Sequence, residues 1–278
     1  MLVSNFLLRN FLKQEILKCF LILCYIFGKD QIIFALMNRN IIYKSDEIEK
    51  FYSKNRIKWS EFYPSEKNVI EHAMLKKKNK VIDIGCGCGG LGIALNEKFG
   101  ITDYTGIDIN EKAIAKAKKL NPKGKFITGD FLDISADVFE NTDIIISLSC
   151  IDWNIEFELM LERIWSLLDN GKFILSIRIT NDETLNDIKS SYQFINFSGL
   201  NEGEIAPYNI YNFRNLIEKF RILPHLSKIY SYGYNGNPAR TAITNFKEVC
   251  FAVFSLEKNK NFSGSIVENF NLPSEFIS

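Results

Sequence analysis

Residues 81–90 read VIDIGCGCGG, and no other stretch limits the fold so tightly. Branched apolar residues of a strand run straight into glycines. Side-chain-free positions directly after a strand let the backbone turn sharply and let a ligand touch it. The flanking rhythm extends the constraint. Strands are expected at 80–85, 104–108, 125–130, 142–148 and 172–179, with helices at 91–100, 111–120 and 157–168 between them. FELMLERIWSLL (157–168) places Phe157, Met160, Leu161, Ile164, Trp165 and Leu168 on one helical face, the stripe of a helix lying on a sheet. Short apolar strands alternating with helices, read as five β-then-α units over 80–180, predict a parallel sheet covered on both faces.

Helices are also expected at 45–59, with Ser45 as N-cap, and at 64–75. After residue 180 the pattern changes. Residues 184–195 carry a helical stripe (Leu185, Ile188, Tyr192, Ile195), 197–209 are polar and glycine-rich, and 213–220 form a short helix. KIYSYGY (228–234) and KEVCFAVFSL (247–256) read as strands joined by a linker too short for a crossover helix, hence antiparallel. The tail from 257 is expected to fray. The fold class is therefore α/β: a doubly wound, mostly parallel seven-stranded sheet with an antiparallel last strand and helices on both faces.

The chain has 278 residues, 46% hydrophobic and 24% charged, with 34 basic and 33 acidic residues giving a net charge of +1. That balance suits one large domain and argues against a nucleic-acid partner, which favours a basic face. The six cysteines form no CxxC pair and no ligand spacing with His72 and His225, so neither a metal site nor a disulfide framework is expected. A cytoplasmic location follows as the default. Residues 1–36 stand apart as an apolar and basic extension. Their run CFLILCYIF (19–27) is too short to span a bilayer as a helix. Met37 opens a polar stretch that reads as a natural start, the alternatives being a signal peptide or a membrane-associating segment.

The glycines fit two templates. Gly85-x-Gly87-x-x-Gly90 matches a dinucleotide loop with Asp108 placed for a ribose. Gly85-x-Gly87-x-Gly89 matches the loop of class I S-adenosylmethionine-dependent methyltransferases. Asp83, two residues before Gly85, would repel a pyrophosphate and attract a sulfonium ligand with an amino group. Gly129-Asp130-Phe131 ends the third strand, where a carboxylate suits an adenine amine and an aromatic ring suits the base. The antiparallel hairpin also departs from a dinucleotide fold.

VIDIGCGCGG with YTGIDIN, ITGDF and DIIISLSCIDWN, in that order and spacing, resembles a class I methyltransferase. The resemblance covers 80–180 by motif and 37–256 by architecture, and extends more broadly to small bacterial methyltransferases. It implies a methyltransferase domain over 37–278, with a sheet core at 80–180, a substrate-side insertion at 181–225 and a C-terminal hairpin at 226–256. It implies S-adenosyl-L-methionine as cofactor. Asp83, Gly85, Cys86, Gly87 and Gly89 would line its methionine end, Asp108 would bind the ribose, and Ile109, Asp130 and Phe131 would hold the adenine. Ser147, Leu148 and Ser149 would meet both cofactor and substrate.

Bland readings stand beside these. Asp83 and Asp108 also suit strand-end turns, Phe131 suits the core, and Cys86 and Cys88 suit small loop positions. Asp152 reads equally as a general base or hydroxyl ligand and as an N-cap for the next helix. Trp153, Arg178 and Tyr208 join it as substrate-binding candidates, with Tyr192, Asn181 and Asn209 nearby and a second wall from Trp59, Phe62 and Tyr63. His225 is a weaker candidate base. Ser-Leu-Ser-Cys-Ile-Asp-Trp-Asn stands where nucleobase amino-methylating relatives carry Asn/Asp-Pro-Pro-aromatic, so no DNA substrate is expected. The expected reaction is O-methylation of a sugar or another polar metabolite. Methylation of RNA or protein, a nicotinamide-dependent oxidoreductase and a non-catalytic cofactor module are the alternatives.

Overall fold

A computed structural model describes residues 46–196 and 199–277. The extension, Ser45 and the Met37 start lie outside the described residues. The parallel core follows the glycine-punctuated pattern: β1 (Lys80–Ile84), α3 (Gly90–Phe99), β2 (Asp103–Asp108), α4 (Glu111–Leu120), β3 (Lys125–Thr128), β4 (Ile144–Ser147), α5 (Phe157–Leu167) and β5 (Gly171–Thr180). Two helices precede it, α1 (Glu47–Tyr52) and α2 (Pro64–His72). After β5 come β6 (Tyr192–Phe194), β7 (Ile205–Pro207), β8 (Ile210–Asn212), α6 (Phe213–Arg221), β9 (Leu226–Gly236), β10 (Ala242–Ile243), β11 (Val249–Lys258), β12 (Val267–Asn271) and α7 (Ser274–Ile277).

The main sheet has nine strands rather than seven. Seven run in the order β9-β11-β5-β4-β1-β2-β3, and β12 and β8 are added to them. β11 pairs antiparallel with both β5 and β9, while the other pairings of this sheet are parallel. The tail expected to fray instead supplies β12 on β9, because its side chains alternate between exposed and half-buried against an edge that still offers backbone partners. β8 pairs with Arg178–Thr180, beyond the stretch Lys172–Leu175 that β4 occupies. Since β11 fills the opposite edge of β5, β8 continues the line of β4 and forces the chain after Ser147 to turn aside.

Alternation along each strand divides the core between two faces. Ile82, Ile84 and Ile145 join Met160, Ile164 and Trp165 of α5 and Leu216 and Phe220 of α6. Val81, Ile144 and Ile146 join Val69 and Ile70 of α2, Leu95 of α3 and Ile114 of α4. Helices therefore cover both faces, as the sequence pattern predicts.

Three expected elements differ. The first helix stops at Tyr52, where Ser53 Oγ and Asn55 Nδ2 donate to the carbonyls of Lys50 and Phe51, a competition that ends helices. The crossover from β3 to β4 holds two short 3-10 turns, Phe131–Asp133 and Ala136–Phe139, in place of a helix. No helix forms over 184–195. Lys189 N–H donates to Asp187 Oδ1 and the N–H groups of Ser190 and Ser191 donate to the Asp187 carbonyl, closing a local turn. Tyr192 then enters β6, in a small three-stranded sheet with β7 and β10. The apolar stripe is real, but Leu185 uses it to bridge to Ile210.

Candidate functional site

The carboxyl ends of β1, β2 and β4 adjoin in the sheet, and the glycine loop closes over them. The N–H groups of Gly85 and Cys86 both donate to the Ile107 carbonyl, at 2.8 and 3.1 Å. Gly85, Gly87 and Gly89 have φ of +76°, +53° and +75°, a region that side chains disfavour. A side chain at Gly85 would overlap Cys150, and one at Gly89 would overlap the Phe126 ring. At Gly87 the only near neighbour of an added carbon among the described residues is Tyr52, at 3.8 Å. Two of these glycines thus serve packing as well as conformation, and the middle one leaves room.

Asp108 ties the loop to β2. Gly87 N–H donates to its Oδ2 and Asn110 N–H to its Oδ1, each at 2.8 Å. Burial pushes this carboxyl up, and the two N–H groups pull it back down. Each oxygen keeps a lone pair for a further donor, so the group suits a pair of ribose hydroxyls. Ile109 follows, half-buried. Left-handed glycines and an acceptor pair at the next strand tip form a cradle that fits S-adenosylmethionine.

Asp83 lies beneath the loop, buried, and its Oδ2 accepts from the Tyr104 hydroxyl at 2.5 Å. Burial, opposed by that hydrogen bond, raises it to about 7. A carboxyl raised in the folded state holds a proton that the unfolded chain gives up near its ordinary value of 3.8. Its contribution to stability is therefore complete below about pH 4 and is lost as pH rises towards 7, by up to ~1.4 kcal/mol per pH unit. Urea denaturation across pH 5–8 should show wild type losing stability relative to Asp83→Asn up to about pH 7 and a constant difference above it; a flat difference throughout would rule this out.

At the end of β3, Asp130 Oδ1 accepts from Leu132 N–H at 2.9 Å and starts a 3-10 turn. The Phe131 ring is buried against Phe139, centroids 5.7 Å apart, with the Arg163 guanidinium 5.7 Å from its centre. It is therefore placed in the α5-side core. Beyond β4, Ser147 and Leu148 are buried and Ser149 is exposed. Ser149 has φ of +51°, and its N–H donates to Ser176 Oγ at 2.6 Å. A serine held in that region is strained, and such strain collects at functional sites.

A polar cluster fills the space where β4 gives way to β8. Arg178 NH2 lies 3.2 Å from Asp152 Oδ2 and donates to the Asp152 carbonyl at 2.9 Å, while its Nε donates to the Asn209 carbonyl at 3.0 Å. The guanidinium sits 3.8 Å from the centre of the Tyr208 ring and 4.7 Å from that of Trp153, a stacked arrangement that suits arginine. Asn209 Nδ2 donates to the Asn154 carbonyl at 2.7 Å. Asp152 Oδ1 and Asn209 Oδ1 are buried and have no partner among the described residues. Burial raises Asp152, and Arg178 opposes the rise. Asp152, Trp153, Arg178, Tyr208 and Asn209, spread over 58 sequence positions, thus meet in one place.

Other candidates lie elsewhere. His225 precedes β9, beside Lys258 and the start of β5, at the end of the sheet opposite the glycine loop. Asn181 Nδ2 donates to the Glu275 carbonyl, and Tyr192 packs on Phe194. Trp59 stacks with Phe62 and meets Phe99 of α3 edge-on. The residues that do reach the loop from the N-terminal side are Glu49, whose carbonyl accepts from the Cys88 thiol, and Tyr52 and Arg56. Sequence reasoning missed them. The signal was Gly90, needed because the Arg56 carbonyl presses on the start of α3.

A model of a methyltransferase domain family matches residues 75–219. A protein of Invertebrate iridescent virus 6, named by inference as a methyltransferase, is 28% identical over 211 residues, 64% of this chain and 77% of the relative. Among solved structures, phosphoethanolamine N-methyltransferase 2 of Haemonchus contortus, with phosphomonomethylethanolamine and S-adenosylhomocysteine, aligns at TM-score 0.48 and 15% identity over 68% of this chain. The alignment spans about half of that protein, 51%. Magnesium protoporphyrin IX methyltransferase of Synechocystis aligns at 0.43 and 17% identity, covering 68% of this chain and 78% of that one.

Proposed function

We propose that this chain, which belongs to the methyltransferase domain family, is an S-adenosylmethionine-dependent enzyme that methylates a hydroxyl of a small polar molecule such as a sugar. The bound cofactor supplies an electrophilic methyl group on a sulfonium. The chain's own residues supply position and a proton acceptor. Gly85, Gly87 and Gly89 admit the cofactor to the backbone, Asp108 takes the ribose, and Asp83 faces the methionine end. Asp130 takes the adenine amine and Ile109 flanks the base, whereas Phe131, placed in the core, takes no part in holding it. Ser147, Leu148 and Ser149 lead from the cofactor to the acceptor.

One observation carries the acceptor reading: Asp152 is a buried carboxylate with one oxygen held by Arg178 and the other without a partner among the described residues. A buried acceptor of this kind favours a ligand that donates hydrogen bonds. Asp152 Oδ1 is assigned to the acceptor hydroxyl and would take its proton as the oxygen bonds the methyl carbon, the methyl–sulfur bond breaking and its electron pair leaving on sulfur as the neutral thioether S-adenosylhomocysteine. Burial raises its pKa, against the pull of Arg178, and a higher pKa makes it a stronger base. Trp153 and Tyr208 both face the guanidinium of Arg178, which holds Asp152 in place.

The test incubates the purified chain with S-adenosylmethionine and a panel of sugars, sugar nucleotides and other polyols, with RNA and protein mixtures alongside. A one-methyl mass gain on a small hydroxyl compound is expected. Asp152→Asn, folded by circular dichroism, should lower kcat by about 100-fold or more, within the usual range of general-base loss. Transfer confined to RNA or protein, or an unchanged kcat in the variant, would overturn the acceptor reading.

A further inference from the structure

The segment between α1 and α2 precedes the matched family region, which begins at residue 75, and lies against the glycine loop. It is held by a set of contacts that an incidental loop would not need. Arg56 adopts φ of +59°, a conformation that costs free energy in a non-glycine residue. Its guanidinium lies 2.8 Å from Glu66 Oε1, and Glu66 is buried on α2. The same guanidinium sits 4.7 Å from the centre of the Phe62 ring and 5.2 Å from that of Tyr63. Glu66 Oε2 accepts from Tyr63 N–H at 2.8 Å. The Arg56 carbonyl presses on Gly90, where any side chain would collide with it.

What this latch holds in place is Tyr52. Its Cβ and Cγ both lie 3.8 Å from the position a Gly87 side chain would take, and Phe51 braces its ring edge-on at 5.2 Å. Tyr52 is half-buried, yet burial pushes its phenol up. The charges of Arg56, Tyr63, Glu66 and Asp152 also act on it. The ring thus sits over the one of the three left-handed loop glycines that nothing crowds, in ordinary contact with it, and within electrostatic reach of Asp152.

We propose that Tyr52 is a further cofactor-contacting residue, its ring roofing the sulfonium, and that Arg56 is the residue that positions it through Glu66. This rests on the S-adenosylmethionine reading above. The negative face of an aromatic ring attracts a cation. The substrate form of the cofactor carries that cation, and its product, S-adenosylhomocysteine, is a neutral thioether. A tyrosine roof therefore favours the substrate over the product and speeds exchange after each transfer.

Calorimetric titration of the full chain with S-adenosylmethionine and with S-adenosylhomocysteine separates the possibilities. Tyr52→Ala should weaken S-adenosylmethionine about tenfold and S-adenosylhomocysteine far less, whereas Tyr52→Phe should keep the wild-type ratio. Arg56→Ala should move the ratio in the same direction as Tyr52→Ala, and Arg56→Lys should recover part of it. A loss of mere structure would weaken both ligands alike. Equal losses, or none, in Tyr52→Ala would overturn the proposal, and this pair of titrations decides even where an Arg56 variant fails to fold. Wild type that binds neither ligand would instead refute the cofactor reading itself.

Discussion

Arg178→Ala is expected to destabilise the fold by about 3–5 kcal/mol, the usual cost of removing one partner of a buried ion pair. Three losses coincide. The Asp152 carboxylate keeps its burial without its countercharge, the carbonyls of Asp152 and Asn209 lose their donors, and the Tyr208 and Trp153 rings lose the cation they both face. Asp152 should then fold only with a proton, so the deficit should shrink as pH falls. Replacing both partners by apolar residues, Arg178→Met with Asp152→Leu, should cost less than Arg178→Ala, because no orphaned charge remains. Urea denaturation of the three proteins checks this. A single variant within about 1 kcal/mol of wild type would mean that the cluster is open to water, since exposed pairs contribute no more than that.

Asp108→Ala is expected to weaken S-adenosylmethionine by about 100-fold or more, since hydrogen bonds to a charged group are worth about 1.5–3 kcal/mol each. The carboxylate both offers lone pairs to the ribose and fixes Gly87 and Asn110 through their N–H groups. Asp108→Asn keeps acceptance by one oxygen and should fall between the two. Calorimetry with NAD in parallel distinguishes the templates that the glycine loop fits: wild type should bind S-adenosylmethionine and leave NAD unbound. Affinity unchanged by Asp108→Ala would remove the ribose from this strand tip.

The parts of the fold legible in the sequence were those set by period and punctuation. β1 to β5 and their helices fall within about two residues of the expected positions, because each strand is apolar, short and bounded by glycine, asparagine or a charged turn. The stripe at 184–195 misled because periodicity cannot see Asp187 capturing three backbone N–H groups. β8 and β12 are three and five residues long, and their membership depends on edges made by distant strands. The site divides in the same way. The loop and Asp108 are local and readable. That Arg178 would meet both Tyr208 and Trp153 follows only from β8 extending the line of β4. Tyr52 and Arg56 carry no motif, and only the backbone pressing on Gly90 reveals them.

The placing of β11 between β5 and β9 has a consequence for how the chain is made. Every cleft residue named above, from Tyr52 to Tyr208, leaves the ribosome before Val249 does. Until the last of β11 emerges, β5 has a bare edge from Gly171 to Ile179, and β9 has nothing joining it to the sheet. An unpaired edge of that length is a template for strands of other chains. A nascent chain without β11 therefore carries all of these site residues but lacks the strand that completes the sheet around them. Emergence of β11 through residue 258 covers the bare edge of β5 and ties β9 to the sheet.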